Sequence, residues 1–205
     1  MAILEHELRS AANSAVTPLR RHLPSRDEYY GMVKAGVFGD RRLELIEGEI
    51  VEMAPIGPAH ASINYPLARL LENAFGEGFA LRIDAPISLG EDDRPSEPQP
   101  DITVVNGVAQ DYRTHHPHPS EIALVVEISD STLTEDRTIK AALYSSAGIP
   151  EYWIVNLVDN RVEVLRSPGE SGYSSVSTHE IGDAIEPLFG PGQFIAVATV
   201  FLQNS

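Results

Sequence analysis

The chain has 205 residues and an ordinary composition for one globular domain, with 42% hydrophobic and 22% charged residues. It contains no cysteine, which excludes disulfides, zinc–thiolate sites and iron–sulfur clusters. The formal net charge of -15 argues against a surface that attracts nucleic acid as a whole, because phosphate binding normally requires a basic footprint. No apolar run is long enough to span a membrane and the first residues are acidic, so we expect a cytoplasmic protein without membrane contacts.

The chain is expected to form one domain over residues 25–205, preceded by a lead-in over residues 1–24. The lead-in shows little hydrophobic periodicity and contains two prolines. Ser25 to Glu28 then form a capping-box pattern, which predicts a helix over residues 29–35.

A β-hairpin is predicted directly after this helix. Residues 43–53 alternate between apolar and polar side chains on either side of Glu47-Gly48, a pair typical of a tight turn. Glu44 lies between two leucines in this alternation, so its side chain is expected to face away from the core and into solvent.

A longer helix is predicted after the hairpin, because apolar residues recur at helical spacing over residues 59–75. Pro66 lies inside this stripe and removes a backbone donor, which predicts a kink or a regular part that starts only there. A strand over residues 81–89 and a polar, proline-rich loop follow.

The second half of the chain alternates between strands and one helix. In chain order, the expected elements are strands at 101–106 and 122–129, a helix from 132 to about 147, and strands at 149–157 and 161–166. The helix begins with a second capping-box pattern, and its apolar side is expected to comprise Ile139, Ala142 and Leu143. The predicted fold class is therefore mixed α/β (α+β), with a central mixed sheet flanked by helices.

Three residues of this half carry the strongest chemical signal. Asp101 opens one strand, and Glu127 interrupts the apolar run of the next, where a buried carboxylate needs a cation or several donors. Lys140 lies on the following helix and is one of only two lysines. Two carboxylates at neighbouring strand ends can hold a hard divalent cation, and an ammonium can offset charge on a phosphate. Taken alone, Asp101 would more often be a surface residue than a ligand, and Lys140 would more often lie on a solvated helix face.

Together, these positions resemble the PD-(D/E)XK nuclease superfamily, which has the restriction-endonuclease-like fold. The residues that carry this resemblance are Pro100-Asp101, Glu127-Ile128-Ser129 and Lys140. A longer pattern is similar to a bacterial family of uncharacterised restriction endonuclease homologues, over about residues 26–200. Its further members are Glu44 to Glu49, Pro55 to His60, Arg137, Tyr144 and Gly148-Ile-Pro-Glu-Tyr-Trp-Ile-Val155.

The resemblance implies a Mg²⁺ or Mn²⁺ ion held by Asp101, Glu127 and the backbone carbonyl of Ile128. It also contains a departure, because Ser129 stands where the wider superfamily has a lysine. The bacterial family shows the same change and is expected to use a helix lysine instead, which corresponds to Lys140.

The same resemblance assigns supporting catalytic roles to Glu44 and His60 and implies a metal-dependent endonuclease that acts on DNA. The alternative is a protein of the same fold that no longer cleaves and serves as a nucleic-acid or protein interaction module, which the charge of -15 favours. We also expect a two-fold homodimer, because Tyr152 and Trp153 lie in a strand-like run with few charges and an endonuclease must address two strands.

Overall fold

The computed structural model describes residues 21–91 and 93–201, so most of the lead-in expected over residues 1–24 lies outside the described residues. The helices are α1 (Arg26–Lys34), α2 (Pro58–Phe75), α3 (Leu133–Glu135), α4 (Ala141–Ser146) and α5 (Val197–Phe201), with a π-helical turn at Asp136–Lys140 between α3 and α4. The strands are β1 (Leu43–Ile46), β2 (Glu49–Glu52), β3 (Phe79–Ile83), β4 (Ile102–Asn106), β5 (Ile122–Ser129), β6 (Glu151–Asn156), β7 (Arg161–Arg166), β8 (Ser175–His179), β9 (Ala184–Ile185) and β10 (Ile195–Ala196).

A mixed six-stranded sheet lies at the centre, in the order β3-β4-β5-β6-β7-β8. β5 and β6 are parallel, and the other neighbours are antiparallel. The parallel pair requires a crossover, which α3, the π-helical turn and α4 provide. Every residue of β5 and β6 is buried, as expected for strands covered on both faces. The predicted mixed sheet flanked by helices is confirmed.

Each face of the sheet carries its own hydrophobic cluster. On one face, α2 contributes Leu67 and Leu71, which share a cluster with Trp153 of β6. On the other face, Tyr144 of α4 joins Tyr152 in a second cluster. In the described residues, no helix has the length and apolar character needed to cross a bilayer.

The two local motifs near the start of the domain form as predicted. Ser25 caps α1, because its side chain accepts a hydrogen bond from the Glu28 backbone amide. The Glu28 carboxylate in turn accepts a hydrogen bond from the Ser25 backbone amide. In the β1–β2 hairpin, Glu47 and Gly48 both have positive φ, at 48° and 79°, which is the backbone of a two-residue type I′ turn.

Two boundaries differ from the sequence-based expectation. α2 begins at Pro58 and continues through Pro66 without interruption, because packing of its apolar face on the sheet outweighs one missing backbone donor. The strand expected over residues 81–89 is shorter and earlier, at Phe79–Ile83, since β4 pairs with only this segment.

The helix expected from residue 132 differs more. Thr132 makes no capping bond; its hydroxyl donates instead to the Asp136 carboxylate at 2.7 Å. Ile139 is 56% exposed and Ala142 is exposed, so the predicted apolar side is wrong except for Leu143. The π-helical turn adds a residue to the turn and changes which side chains face the sheet.

The Gly-Ile-Pro-Glu-Tyr-Trp motif forms part of the core. Tyr152 and Trp153 are fully buried, so they offer no surface for the expected homodimer, which stays a prediction without this support. Glu151 is also fully buried, and its carboxylate accepts from Trp153 Nε1 at 2.9 Å, from Arg166 Nε at 2.9 Å and from the Leu188 amide at 2.8 Å. The motif therefore fixes β6 to β7 and to the segment around Leu188.

Candidate active site

One cleft, with a volume of about 170 Å³, brings together the six residues that were predicted to form the catalytic and metal site. It lies where β4 begins and β5 ends, and the β1–β2 hairpin, the start of α2 and the π-helical turn surround it. The predicted residues that line it are Glu44, His60, Asp101, Glu127, Ile128 and Lys140.

The register of the sheet places Asp101 and Glu127 side by side. Ile102 of β4 pairs with Val126 of β5 in an antiparallel register. Asp101, which precedes Ile102, therefore lies opposite Glu127, which follows Val126, and the two side chains share one face of the sheet. Asp101 also replaces a ladder bond, because its Oδ2 accepts from the Ile128 amide at 2.6 Å. The two carboxylates therefore border the same part of the cleft.

Pro100 explains why the Ile128 carbonyl is available here. When the β4–β5 register is continued two residues beyond the Ile102–Val126 pair, Pro100 lies opposite Ile128. Proline has no backbone N–H, so it cannot bond the Ile128 carbonyl as a ladder partner would. The amide and carbonyl of one strand residue point to the same side, which is the side where Asp101 already binds the Ile128 amide.

Glu127 is only 4% exposed and is held through one of its two oxygens. Its Oε1 accepts from Lys140 Nζ at 2.9 Å and from the Tyr144 hydroxyl at 2.7 Å. Within the part of the chain that the structure describes, no donor contacts Oε2. Burial raises the pKa of Glu127 well above its usual value, and the charge of Asp101 adds to this, although Lys140 opposes it.

Lys140 is not a solvated helix residue, because its side chain is only 15% exposed and points into the cleft. Besides Glu127, its ammonium lies 3.8 Å from Glu44 Oε1 and 3.9 Å from Asp136 Oδ1. Burial alone would lower the pKa of Lys140, but the surrounding carboxylates outweigh burial and raise it. The lysine is therefore a permanent cation of the cleft.

Ser129 serves a different purpose from the lysine that it replaces. Its hydroxyl donates to Asp136 Oδ2 at 2.7 Å, the same oxygen that accepts from Thr132. These two bonds fix Asp136, which is 2% exposed and begins the π-helical turn. Ser129 thus fixes the start of the π-helical turn that ends at Lys140.

The expectation that Glu44 faces solvent is wrong, since its side chain is buried at the cleft. Alternation fails because a neighbouring segment covers the hairpin: the Glu97 amide bonds the Leu45 carbonyl at 2.7 Å. From the same segment, the Gln99 amide donates to Glu44 Oε2 at 3.1 Å and sets the orientation of the carboxylate.

His60 lies in the first turn of α2 and holds the second oxygen of Asp101. Its Nε2 is 2.9 Å from Asp101 Oδ1, and this hydrogen bond raises the pKa of His60. Its Nδ1 is buried and has no hydrogen-bond partner among the described residues. The histidine therefore orients Asp101 through Nε2 alone.

Asp84 and Asp136 escaped the sequence interpretation, and Tyr144 entered it only as a member of the family pattern, without a role. The Asp84 amide donates to the Asp101 carbonyl at 3.1 Å, and burial together with the Asp101 charge raises the pKa of Asp84. Asp136 and Tyr144 lie four residues before and after Lys140, a spacing that brings side chains to one helix face. That spacing was the sequence signal that could have identified Asp136 and Tyr144. No sequence pattern pointed to Asp84.

The donor set suits a hard divalent cation. Glu44, Asp101, Glu127 and Asp136 line the cleft together with a single lysine, and carboxylate and carbonyl oxygens are the ligands of Mg²⁺ and Mn²⁺. In the described residues, no three acidic or histidine side chains converge as a metal cluster on their own. A site built here would therefore combine two carboxylates with the Ile128 carbonyl and water, as Mg²⁺ sites usually do.

Arg137 ties the π-helical turn to β7 and gives a testable pH dependence. Its guanidinium binds the Glu163 carboxylate, with Nε to Oε2 at 2.9 Å, and Asn156 donates to the same carboxylate at 3.2 Å. Burial would raise the pKa of Glu163, but these hydrogen bonds and the charge of Arg137 outweigh it and hold the pKa below its usual value.

A carboxylate with a depressed pKa stabilises the folded state above its unfolded pKa, and this stabilisation disappears as the pH falls through the folded value. We expect Glu163→Gln to unfold at lower urea concentration than the wild type at pH 7, with the gap closing below about pH 4.5. Urea titrations of both proteins across this range test it. A gap that does not change with pH would contradict the assignment.

Comparison with known proteins identifies the family. The model of the Uma2 family, described as "putative restriction endonuclease", matches residues 27–198. The chain belongs to the Uma2 family. This confirms the resemblance drawn from the motifs, and Uma2 membership supports a nuclease function. No curated protein matches the chain.

A solved structure supports the same fold. It is the crystal structure of "a putative nuclease belonging to DUF820" from Anabaena variabilis ATCC 29413, which matches with a TM-score of 0.68. The match covers 87% of this chain and 97% of that one at 16% sequence identity. At this identity the match shows that the Uma2 chain and that protein share a fold.

Proposed function

We propose that this protein is a Mg²⁺- or Mn²⁺-dependent endonuclease that hydrolyses phosphodiester bonds of DNA. The observation that carries the proposal is the contact of Lys140 with Glu127 at 2.9 Å, inside the cleft that Asp101 borders. A carboxylate pair can hold a divalent cation, and a buried ammonium beside it can stabilise the charge that develops during phosphodiester hydrolysis.

Asp101, Glu127 and the Ile128 carbonyl would hold the cation. When bound, the cation supplies Lewis acidity and lowers the pKa of a water molecule. The chain has already arranged these ligands: His60 and the Ile128 amide fix Asp101, while Tyr144 and Lys140 fix Glu127 through Oε1.

Lys140 contributes a fixed positive charge. Its ammonium positions the attacking water and offsets the negative charge that develops on the phosphate as the new bond forms. Glu44, whose Oε1 lies 3.8 Å from Nζ, helps to keep the ammonium in the cleft. Because these groups are fixed by packing before substrate arrives, little reorganisation is needed at the moment of reaction.

A cleavage assay on supercoiled plasmid, single-stranded DNA and branched DNA tests the proposal, with Mg²⁺, Mn²⁺ or EDTA. We expect cleavage by the wild type with metal, and a loss of about 100-fold or more for Asp101→Asn, because even a residue that only supports a metal ligand is worth about 10- to 100-fold. Asp93→Asn, an exposed carboxylate outside the cleft, is the matched control and should cleave normally.

Manganese binding measured by calorimetry separates two explanations of a negative result. If the wild type binds Mn²⁺ through Asp101 but cleaves none of these substrates, the interaction-module alternative, which the charge of -15 favours, becomes the better description. If Asp101→Asn cleaves as well as the wild type, the metal assignment fails.

A further inference from the structure

A second cavity, of about 230 Å³, lies next to the active-site cleft. It is formed by α1, the loop that follows it and the start of β1. Arg42 and Gln99 line both the cavity and the cleft, so they form the boundary between the two. The lining of the cavity is therefore continuous with the lining of the cleft.

Aromatic rings form the walls of the cavity: Tyr29, Tyr30 and Phe38. The Tyr29 and Tyr30 rings meet edge to face at 5.3 Å, and Tyr29 lies 6.2 Å from Phe38. The Tyr29 hydroxyl donates to the Leu43 carbonyl at 2.9 Å. These rings are therefore held by contacts with the domain and are not free to turn into solvent.

Tyr30 is fixed although it is 36% exposed. Its hydroxyl donates to Glu97 Oε2 at 2.9 Å, and its ring stacks on His116 at 5.9 Å. Glu97 is itself buried and is bound by Ser88 at 2.6 Å. An exposed aromatic ring anchored from behind by a buried carboxylate is a rigid platform for a flat ligand.

Two adjacent arginines in the lining give the cavity a local positive charge on a chain whose net charge is -15. Arg41 is exposed and bonds the Phe38 carbonyl at 2.9 Å; among the described residues it pairs with no carboxylate. Within the same described residues, the Arg42 guanidinium pairs only with Asp84, at 3.9 Å. Both guanidinium groups therefore keep donors for an anion that approaches from the cleft.

We propose that this cavity binds one unstacked base of a DNA strand whose backbone runs past Arg41 and Arg42 into the cleft. This inference rests on the proposed nuclease function, because that function places the DNA backbone in the cleft. Aromatic rings bind bases through stacking whatever the base, and arginines bind the flanking phosphates. A volume of 230 Å³ is below the range of about 300–1,000 Å³ for drug-sized ligands and suits a single base.

The probe is a short fluorescent DNA strand that is abasic throughout except for one thymine, compared with the fully abasic strand by anisotropy. Binding of the full chain is measured in EDTA and again with Ca²⁺, and gels confirm that the strand stays intact. We expect the thymine to tighten binding to the wild type by about 5- to 100-fold. Tyr30→Ala should lose this preference, and Tyr30→Phe should retain it because the ring remains.

Arg41→Ala should weaken both strands equally and reduce the salt dependence of binding by about one phosphate contact. The matched control is Arg69→Ala, an exposed arginine on α2 away from the cavity, which should change neither quantity. Melting temperatures of all variants establish that they are folded.

The outcomes separate this inference from the proposed nuclease activity. A thymine preference that depends on Tyr30 supports the cavity even if no cleavage occurs. If the wild type binds neither strand, or if folded Tyr30→Ala keeps the full thymine preference, the cavity is not a base site, whatever the plasmid assay shows.

Discussion

Replacing Lys140 with alanine is expected to reduce metal-dependent DNA cleavage by about 100- to 1,000-fold, the usual effect of removing one group that stabilises charge in a transition state. Lys140 is the only lysine at the cleft, and its ammonium lies 2.9 Å from Glu127. The matched control is Lys34→Ala, which removes the other lysine of the chain from the exposed end of α1. Initial rates with Mg²⁺ provide the measurement.

The same substitution also affects folding, contrary to what a surface lysine would predict. Because Lys140 and Glu127 form a largely buried pair, removing one partner is expected to cost about 3–5 kcal/mol at neutral pH. The double variant Lys140→Met with Glu127→Gln removes both charges, so it should recover much of this stability while remaining inactive. Activity must therefore be compared at temperatures where each variant is folded.

Two results would count against the role of Lys140. One is a folded Lys140→Ala protein that cleaves at the wild-type rate. The other is a double variant that regains activity together with stability, which would show that the lysine acts only by stabilising the fold.

A loss of stability of similar size is expected at Glu151, where an alanine should lower the melting temperature by about 6–20 °C. The carboxylate is fully buried and binds Trp153, Arg166 and the Leu188 amide. Its removal leaves these donors without their acceptor, at a cost of about 3–5 kcal/mol. In a domain of this size, each kcal/mol corresponds to about 2–4 °C.

Two controls accompany this measurement by thermal unfolding. Glu170→Ala removes an exposed carboxylate from a nearby loop and should leave the melting temperature almost unchanged. Glu151→Gln keeps an acceptor but loses the charge opposite Arg166, so it should fall between alanine and the wild type. A Glu151→Ala protein that melts with the wild type would refute the structural role of the motif.

Features that depend on a few neighbouring residues could be predicted from the sequence. The capping box at Ser25 and the turn at Glu47-Gly48 are each determined by local hydrogen bonds and backbone preferences. The mixed sheet could also be predicted, because continuous apolar runs such as β5 indicate strands buried on both faces.

Features that depend on a covering segment or on helix register could not. Glu44 is buried because the segment that contains Glu97 and Gln99 crosses the hairpin, and no local pattern encodes that crossing. Ile139 is exposed because the π-helical turn shifts the helix faces away from the regular spacing.

The site shows the same division. Asp101, Glu127 and Lys140 could be selected because each is chemically out of place in its surroundings or rare in the chain. Asp136 and Tyr144 could not be assigned roles in advance, since an aspartate and a tyrosine on a helix are ordinary residues. Their importance comes from tertiary contacts, with Ser129 and Thr132 in one case and with Glu127 in the other.

The π-helical turn makes chain length, as well as residue identity, a condition for the observed arrangement of the cleft. Each residue advances an α-helix by about 100°, so a turn with one residue fewer would swing either Asp136 or Lys140 away from its present partner. A related sequence that lacked one residue between 136 and 140 but retained every carboxylate and the lysine would still match the sequence motif. Either the Lys140 ammonium would then fail to reach the Glu127 carboxylate, or Asp136 would lose its bonds to Ser129 and Thr132, so an intact motif alone does not establish an intact site.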